Sequence, residues 1–118
     1  MLEDIMDDTI KIKKTKGVII IYLSGRLDLN SSHFIEMGIK DILKDDKSSH
    51  ILLNLANVDF IVSSTLHMFM TIKNELKKMN KNLMLCNINE QVENVLKVVD
   101  LINTFEIYST EEEALAVI

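Results

Sequence analysis

The amino-acid sequence predicts a single α/β domain over residues 1–118, in which a mixed and mostly parallel sheet carries about four helices. The length supports this prediction, because 118 residues fit one domain of ordinary size. The composition, with 47% apolar and 26% charged residues, is typical of a globular protein. Short β-branched runs alternate with amphipathic segments in the order ββαβαβαβα, which indicates parallel strands joined by helices.

The chain is expected to open with an antiparallel hairpin, preceded by a flexible segment over residues 1–8. Residues 9–13 alternate between polar and apolar side chains, and residues 14–17 supply a turn that ends in glycine. Residues 18–23 form an apolar and largely β-branched run, which indicates a strand that is buried on both faces.

A helix and a central strand follow the hairpin. Asn30, Ser31 and Ser32 offer side-chain caps for the first helix. Its apolar residues recur at helical spacing and are Phe34, Ile35, Ile39, Ile42 and Leu43. Residues 51–55 predict a central strand, and we expect a short loop from there to Val62.

The second half of the chain continues this alternation. A second helix is expected to begin near Ser63 or Ser64, and residues 83–86 and 105–108 predict two further strands. The buried stripe of the second helix is Phe69, Ile72, Leu76 and Met79, and that of the third is Val92, Val95, Leu96 and Val99. Thr110 is a good cap for a last helix, because the acidic residues after it suit the positive end of a helix.

The same periodicity predicts the core of the domain. Ile20, Leu53 and Leu85 are expected in the interior of the sheet, with Leu76 and Val95 packed onto it.

Charge and composition exclude several classes of partner. Thirteen basic and eighteen acidic residues give a net charge of −5, which repels a phosphate backbone, so nucleic acid is not an expected partner. No apolar run approaches the roughly 20 residues that span a bilayer, and the acidic N-terminus lacks the pattern of a secretory signal. We therefore expect a cytoplasmic protein with no membrane partner.

The sequence lacks the motifs of an enzyme, a metal site or a cofactor site. Its only glycines are Gly17, Gly25 and Gly38, which are too far apart to form a phosphate-binding loop. The three histidines fall on different elements, so no close pair of metal ligands is expected. Cys86 is the only cysteine, which excludes an internal disulfide, and its apolar surroundings predict a buried structural thiol. We expect neither catalysis nor a cofactor.

Three consecutive hydroxyl side chains mark the one candidate functional segment. Ser63, Ser64 and Thr65 stand where a strand-following loop becomes a helix. A hydroxyl at such a place is either a helix cap or a modification site, and one cap leaves two hydroxyls over. Loops that follow parallel strands gather at one edge of the sheet, so Asp28 is expected near this segment. Charge reversal at Asp28 is expected to weaken partner binding with little loss of stability.

At these residues the sequence resembles the STAS domains, which include bacterial anti-sigma factor antagonists and the cytoplasmic tails of sulfate transporters. The resemblance covers nearly the whole chain. It rests on residues 23–28, 51–55, 58–61 and 86–101 and on the Ser63-Ser64 pair, in that order and spacing.

The resemblance implies a protein-binding switch. Family antagonists bind an anti-sigma factor that is also a serine kinase and so free a sigma factor for transcription, until phosphorylation of the antagonist ends the binding. The phosphorylated serine lies in an Asp-Ser-x-Gly-Leu pattern, which places the acceptor at Ser63 and the leucine at Leu66. The expected contact surface is then Asp28 with Ser63, Ser64, Thr65 and Leu66.

Three positions depart from the family pattern. Val62 replaces the aspartate, Thr65 replaces the glycine, and Arg26 replaces an acidic residue that is common in the segment before Asp28. The departures at Val62 and Thr65 keep a second interpretation open, in which the chain is a STAS scaffold or a subunit of a signalling assembly and is never phosphorylated. A weak homodimer also stays open.

Overall fold

A six-stranded sheet organises the computed structural model, which describes residues 3–7, 10–15, 17–46 and 48–118. Its strands lie side by side in chain order: β1 Glu3–Asp7, β2 Ile10–Thr15, β3 Val18–Leu27, β4 His50–Ile61, β5 Leu83–Cys86 and β6 Glu106–Tyr108. β1, β2 and β3 pair antiparallel, and the pairs from β3 to β6 are parallel. The predicted mixed, mostly parallel sheet with a leading hairpin is confirmed.

Strand β1 is an addition to the predicted order. The expected flexible segment, residues 1–8, lies partly outside the described residues, and its described part forms β1. This strand pairs with β2, whose backbone donors and acceptors would otherwise face solvent along an open edge. The sequence pattern does not predict β1, because this strand is stabilised by pairing with β2 and not by a repeat within its own residues.

The predicted hairpin is present in β2 and β3. β2 alternates between buried and exposed residues, as expected for a strand with one solvated face. Gly17 lies in the turn with φ 71°, a backbone conformation that glycine adopts without a steric penalty. The first four residues of β3 are buried, which confirms a strand covered on both faces.

Four helices within the described residues cover the two faces of the sheet unequally: α1 Leu29–Asp45, α2 Ser63–Lys78, α3 Glu90–Val98 and α4 Glu111–Ala116. The larger core contains buried side chains of α1, α2 and α3 together with one face of the strands. The smaller core lies on the opposite face and includes Ala114 of α4. Across the described residues, no helix has the length and apolar content that a bilayer crossing requires.

The expected loop between Leu55 and Val62 is wrong, because β4 continues through this segment to Ile61. Its pairing with β3 shifts register between Tyr22 and Ser24 and again between Gly25 and Arg26. At each shift β4 contains one residue more than the paired segment of β3, so the strand continues past Asn54 in spite of its irregular backbone. The side-chain oxygen of Asn54 accepts the backbone N–H of Ala56 at 3.0 Å. The polar residues after Leu55 read as a loop in the sequence, but in the structure they occupy bulges of a long strand.

The predicted core residues lie where the periodicity placed them. Ile20, Leu53, Leu85 and Leu76 are each at most 1% exposed, and Val95 packs against the larger core while partly exposed.

The caps of the last two helices follow ordinary helix chemistry. Asn89 caps α3 by accepting the N–H of Val92 at 2.9 Å, and its amide donates to the carbonyl of Val58 at 2.7 Å. Thr110 caps α4 by accepting the N–H of Glu113 at 3.1 Å, as predicted. The double role of Asn89 fixes α3 against the carboxyl half of β4.

Cys86 is a buried thiol at the end of β5, as the sequence predicts. Burial raises its pKa to about 12, and the carboxylates of Glu111 and Glu112 add to this shift. Because only a thiolate attacks, at pH 8 the native thiol should react with a disulfide reagent about 1000-fold more slowly than a thiol of ordinary pKa. The rate of labelling in native buffer and in urea measures this difference. Complete labelling of the native protein within minutes would contradict the buried, protonated thiol.

Candidate partner-binding site

The N-terminal ends of α1 and α2 begin side by side at one edge of the sheet. Leu27 ends β3 and pairs with Ile61 at the end of β4, and one residue separates each strand from the following helix. The backbone N–H of Val62 donates to the carbonyl of Leu27 at 3.2 Å. The expected proximity of Asp28 to the segment that begins α2 is therefore confirmed.

Asp28 is the N-cap of α1 and forms a capping box with Ser31. Its carboxylate Oδ1 accepts the backbone N–H of Ser31 at 3.0 Å, and its own N–H donates to Ser31 Oγ at 2.9 Å. Asn30, Ser31 and Ser32, predicted as caps, lie inside the helix instead. The sequence pattern starts the helix too late, because Asn30, Ser31 and Ser32 all have side chains that commonly cap helices.

The cap changes the expected effect of substituting Asp28. The backbone hydrogen bond from Ser31, followed by the side-chain hydrogen bond, holds the pKa of Asp28 below its ordinary value. A lowered carboxyl pKa stabilises the fold above the ordinary pKa, and this contribution is lost as pH falls through the lowered value. Charge reversal should therefore cost stability as well as binding. We expect Asp28→Ala to lower the thermal midpoint at pH 7 and Asp28→Asn, a good cap without charge, to preserve most of it. Equal midpoints for wild type and Asp28→Ala would contradict the capping role.

The first turn of α2 has no side-chain cap. Val62 is the N-cap residue and makes no side-chain hydrogen bond, so none of the three hydroxyls of Ser63, Ser64 and Thr65 caps this helix. Ser63 is exposed at the first helical position, and Ser64 is half-buried at the second. The side chain of Ser63 is therefore accessible at the positive end of a helix.

Thr65 is a structural residue in the interior. It is 0% exposed, and its hydroxyl donates to the carbonyl of Leu27 at 2.9 Å. Ser32 Oγ lies 2.6 Å from Thr65 Oγ1. Since the one proton of Thr65 is already donated to Leu27, the Ser32 hydroxyl must be the donor to Thr65. This pair of hydrogen bonds joins the first turns of α1 and α2 to the end of β3.

Burial corrects the expected contact surface at two of its residues. Thr65 is 0% and Leu66 is 1% exposed, so neither side chain reaches a partner. Both belong to the first turn of α2 and have their side chains in the interior. Asp28 and Ser63 are exposed and Ser64 is half-buried, and their contact with a partner stays a prediction.

The buried hydroxyl pair predicts non-additive stability effects. Thr65→Val keeps the shape but leaves the Ser32 hydroxyl without its acceptor, which should cost about 1–3 kcal/mol of unfolding free energy. The double variant Ser32→Ala with Thr65→Val removes both partners and should cost less than the sum of the single changes. Urea unfolding of the four proteins measures this coupling. Strictly additive losses would mean that the two hydroxyls do not stabilise each other.

An open groove of about 480 Å³ runs between α1 and α2 next to Ser63. From α1 it is lined by Leu29, Ser32, His33 and Glu36, and from α2 by Ser63, Ser64, His67, Met68 and Thr71. Leu29 is 69% exposed, so an apolar side chain faces solvent on the α1 wall of the groove. We call this feature the α1–α2 groove. Its mixture of polar and apolar side chains is suited to protein contact.

A second feature of this edge is the guanidinium of Arg26, which stacks on the ring of Phe60 at 4.3 Å. Arg26 is exposed and its charge contributes to the lowered pKa of Asp28. Cation–π stacking favours this orientation of the Arg26 side chain, which places a positive charge near the Asp28 carboxylate. Among the described residues, no group of three or more His, Cys, Asp or Glu side chains is arranged to hold a metal ion.

The chain matches the STAS domain family over residues 9–114. It belongs to the STAS domain family. A relative of this STAS domain, the anti-sigma F factor antagonist of Paenibacillus polymyxa, is 28% identical over 110 residues, which cover 93% of this chain and 94% of the relative. The resemblance seen in the sequence is therefore confirmed at the level of the family.

Solved structures show the same fold. The unphosphorylated anti-sigma factor antagonist SpoIIAA superposes with a TM-score of 0.79 at 23% identity, over 91% of this chain and 93% of that chain. The phosphorylated form of SpoIIAA from Bacillus gives a TM-score of 0.70 at 22% identity, over 92% of this chain and 97% of that chain.

Three residues near Ser63 in this STAS domain were not predicted from the sequence as part of the site. His33 and His67 line the α1–α2 groove, and Leu29 lies exposed on its α1 wall. The two histidines fall on different helices, so their spacing in the sequence does not indicate that they share a site. The spacing from Ser63 to His67, four residues along one helix, was the available signal, since such residues share a face. The position of His33 depends on the packing of α1 against α2.

Proposed function

We propose that this STAS domain is an anti-sigma factor antagonist that is controlled by phosphorylation. It binds an anti-sigma factor that is also a serine kinase, and this binding frees a sigma factor for transcription. The kinase transfers the γ-phosphoryl group of ATP to Ser63 Oγ, with release of ADP and the hydroxyl proton. The phosphorylated protein then leaves the complex. In this proposal the protein acts in the cytoplasm as a binding switch without a catalytic role or a cofactor.

The observation that supports this proposal most strongly is the accessibility of Ser63. Its side chain is exposed on the first turn of α2, where it has no capping hydrogen bond. A helix N-terminus tolerates negative charge, so a phosphate here leaves the helix intact. The phosphate would add about −1.5 to −2 units of charge near the Asp28 carboxylate. This added negative charge would repel an acidic surface of the partner and so weaken the complex.

The named relatives support the same proposal. The Paenibacillus polymyxa relative is an anti-sigma F factor antagonist that matches nearly the full length of this chain. SpoIIAA, an anti-sigma factor antagonist of the same fold, has both an unphosphorylated and a phosphorylated form. We propose that the exposed Asp28 and Ser63, with the half-buried Ser64, contact the partner.

A second function is a STAS scaffold or subunit of a signalling assembly that is never phosphorylated. Two observations favour it. Val62 supplies no carboxylate beside Ser63, and the hydroxyl of Thr65, where the family pattern has glycine, is committed to the buried contact with Leu27 and Ser32. A scaffold requires only a stable surface, which these contacts provide.

Phosphosite mapping separates the two functions. The protein would be isolated from its source cell under several growth conditions and analysed by mass spectrometry, beside Ser63→Ala and Ser64→Ala variants. The switch predicts a phosphate on Ser63 that is lost in Ser63→Ala and retained in Ser64→Ala. Absence of phosphate under every condition, with unchanged partner binding by Ser63→Ala and Ser63→Asp, would favour the scaffold.

A further inference from the structure

Two histidines line the α1–α2 groove near the proposed phosphorylation site, His67 on the same helix as Ser63 and His33 on the opposite wall. His67 follows Ser63 by four residues on α2, so their Cβ atoms lie about 5–6 Å apart on one face of the helix. His33 reaches the same groove from α1. Both histidines are exposed at the groove, and neither has a part in the proposed contact with the anti-sigma factor.

We propose that His33 and His67 bind the phosphate of phosphorylated Ser63 and hold it across the α1–α2 groove. This inference rests on the proposed phosphorylation of Ser63 and adds the residues that receive the phosphate. An imidazolium donates charge-assisted hydrogen bonds to phosphate oxygens, and two of them on opposite walls match a group that carries three oxygens. The Ser64 hydroxyl, which also lines the groove, is a further donor for the same phosphate.

The charges around the groove are compatible with a bound phosphate. The titratable groups that line it are His33 and Glu36 from α1 and His67 from α2. Glu36 would repel the phosphate, but its carboxylate forms an ion pair with Lys40 at 2.8 Å. The Asp28 carboxylate, which accepts the backbone N–H of Ser31, is not part of the groove lining. The remaining lining side chains are neutral.

This arrangement gives the phosphorylated state a dependence on pH. Protonated imidazoles favour the dianionic phosphate, so the second ionisation of the phosphate shifts to lower pH. A phosphate held in the groove also occupies space beside Ser64, which is one of the proposed contact residues. Partner binding is then blocked by occupation of the groove as well as by charge repulsion.

The test uses the full chain with phosphoserine introduced at position 63 by genetic encoding, so that no kinase is required. Phosphorus NMR would follow the titration of the phosphate in wild type, His33→Gln, His67→Gln and the double variant. His50→Gln is the matched control, because His50 accepts the backbone N–H of Asn82 through Nδ1 and does not line the groove. The urea-unfolded phosphorylated chain gives the reference value.

We expect the pKa of the phosphate in the folded wild type to lie about half a unit to one unit below the reference. The single variants should reverse part of this shift, the double variant should reverse most of it, and His50→Gln should leave it unchanged. Unchanged phosphate titration in the double variant would overturn the inference. So would an equal effect of His50→Gln. Either result leaves the proposed function intact, because binding and natural phosphorylation are measured separately. Conversely, absence of a natural kinase would overturn the proposed function without altering this titration.

Discussion

Replacement of Leu53 by alanine is expected to lower the free energy of unfolding by about 2–5 kcal/mol, as truncation of a core leucine usually does. Leu53 is 0% exposed in the central strand β4. It pairs with Ile21 of β3 on one side and with Leu85 of β5 on the other, and all three belong to the larger core. A cavity at this position cannot fill with water, because apolar side chains surround it.

Val98→Ala is the matched control for this change. Val98 is an apolar residue of α3, but it is 85% exposed, so its truncation should alter stability by no more than about 0.5 kcal/mol. Urea unfolding monitored by circular dichroism compares the two variants with wild type. Similar small losses for both variants would show that β4 is not the centre of the core.

Negative charge at Ser63 is expected to produce the largest change in binding. We predict that Ser63→Asp weakens the complex with the anti-sigma factor at least about 10-fold, since like charges brought together at an interface are strongly unfavourable. Phosphoserine should weaken it further, because its charge is larger. Ser63→Ala should stay folded and bind nearly like the wild type, because it removes no capping hydrogen bond and adds no charge to the contact surface. Isothermal titration calorimetry with the purified partner measures all three.

Asn74→Asp controls for the added charge. Asn74 is exposed on the same helix, about three turns beyond Ser63, so it adds one carboxylate far from the proposed contact surface. This variant should bind like the wild type, and thermal unfolding should show that both aspartate variants remain folded. Equal losses of affinity for Ser63→Asp and Asn74→Asp would indicate a general charge effect and contradict a contact surface at Ser63.

Most of the fold could be predicted from the spacing of apolar residues along the chain. The apolar run of β3 and the stripes of α2 and α3 were sufficient, because each depends on a repeat within its own segment. β1 and the second half of β4 were not predictable in this way. β1 supplies a pairing partner for β2, and β4 extends through register shifts in its pairing with β3. Both depend on a neighbouring strand that no local pattern reveals.

The sequence predicts which edge of the sheet holds the candidate site, but it does not predict which side chains are exposed there. Parallel strands bring Asp28 and Ser63 together, and this followed from topology alone. The burial of individual side chains did not follow from the topology. Thr65 looked like a third exposed hydroxyl, yet the packing of α1 against α2 buries it against Ser32. The α1–α2 groove and its two histidines depend on the same packing.

Affinity purification from the source cell tests the central claim most directly, that this STAS domain binds an anti-sigma factor kinase through the surface around Ser63. Tagged wild type, Ser63→Asp and Asn74→Asp would be compared by quantitative mass spectrometry. We predict that wild type and Asn74→Asp recover a protein with an anti-sigma factor serine-kinase domain, and that Ser63→Asp recovers about one tenth as much or less. Equal recovery of a different signalling assembly by all three proteins, with no such kinase present, would contradict this account.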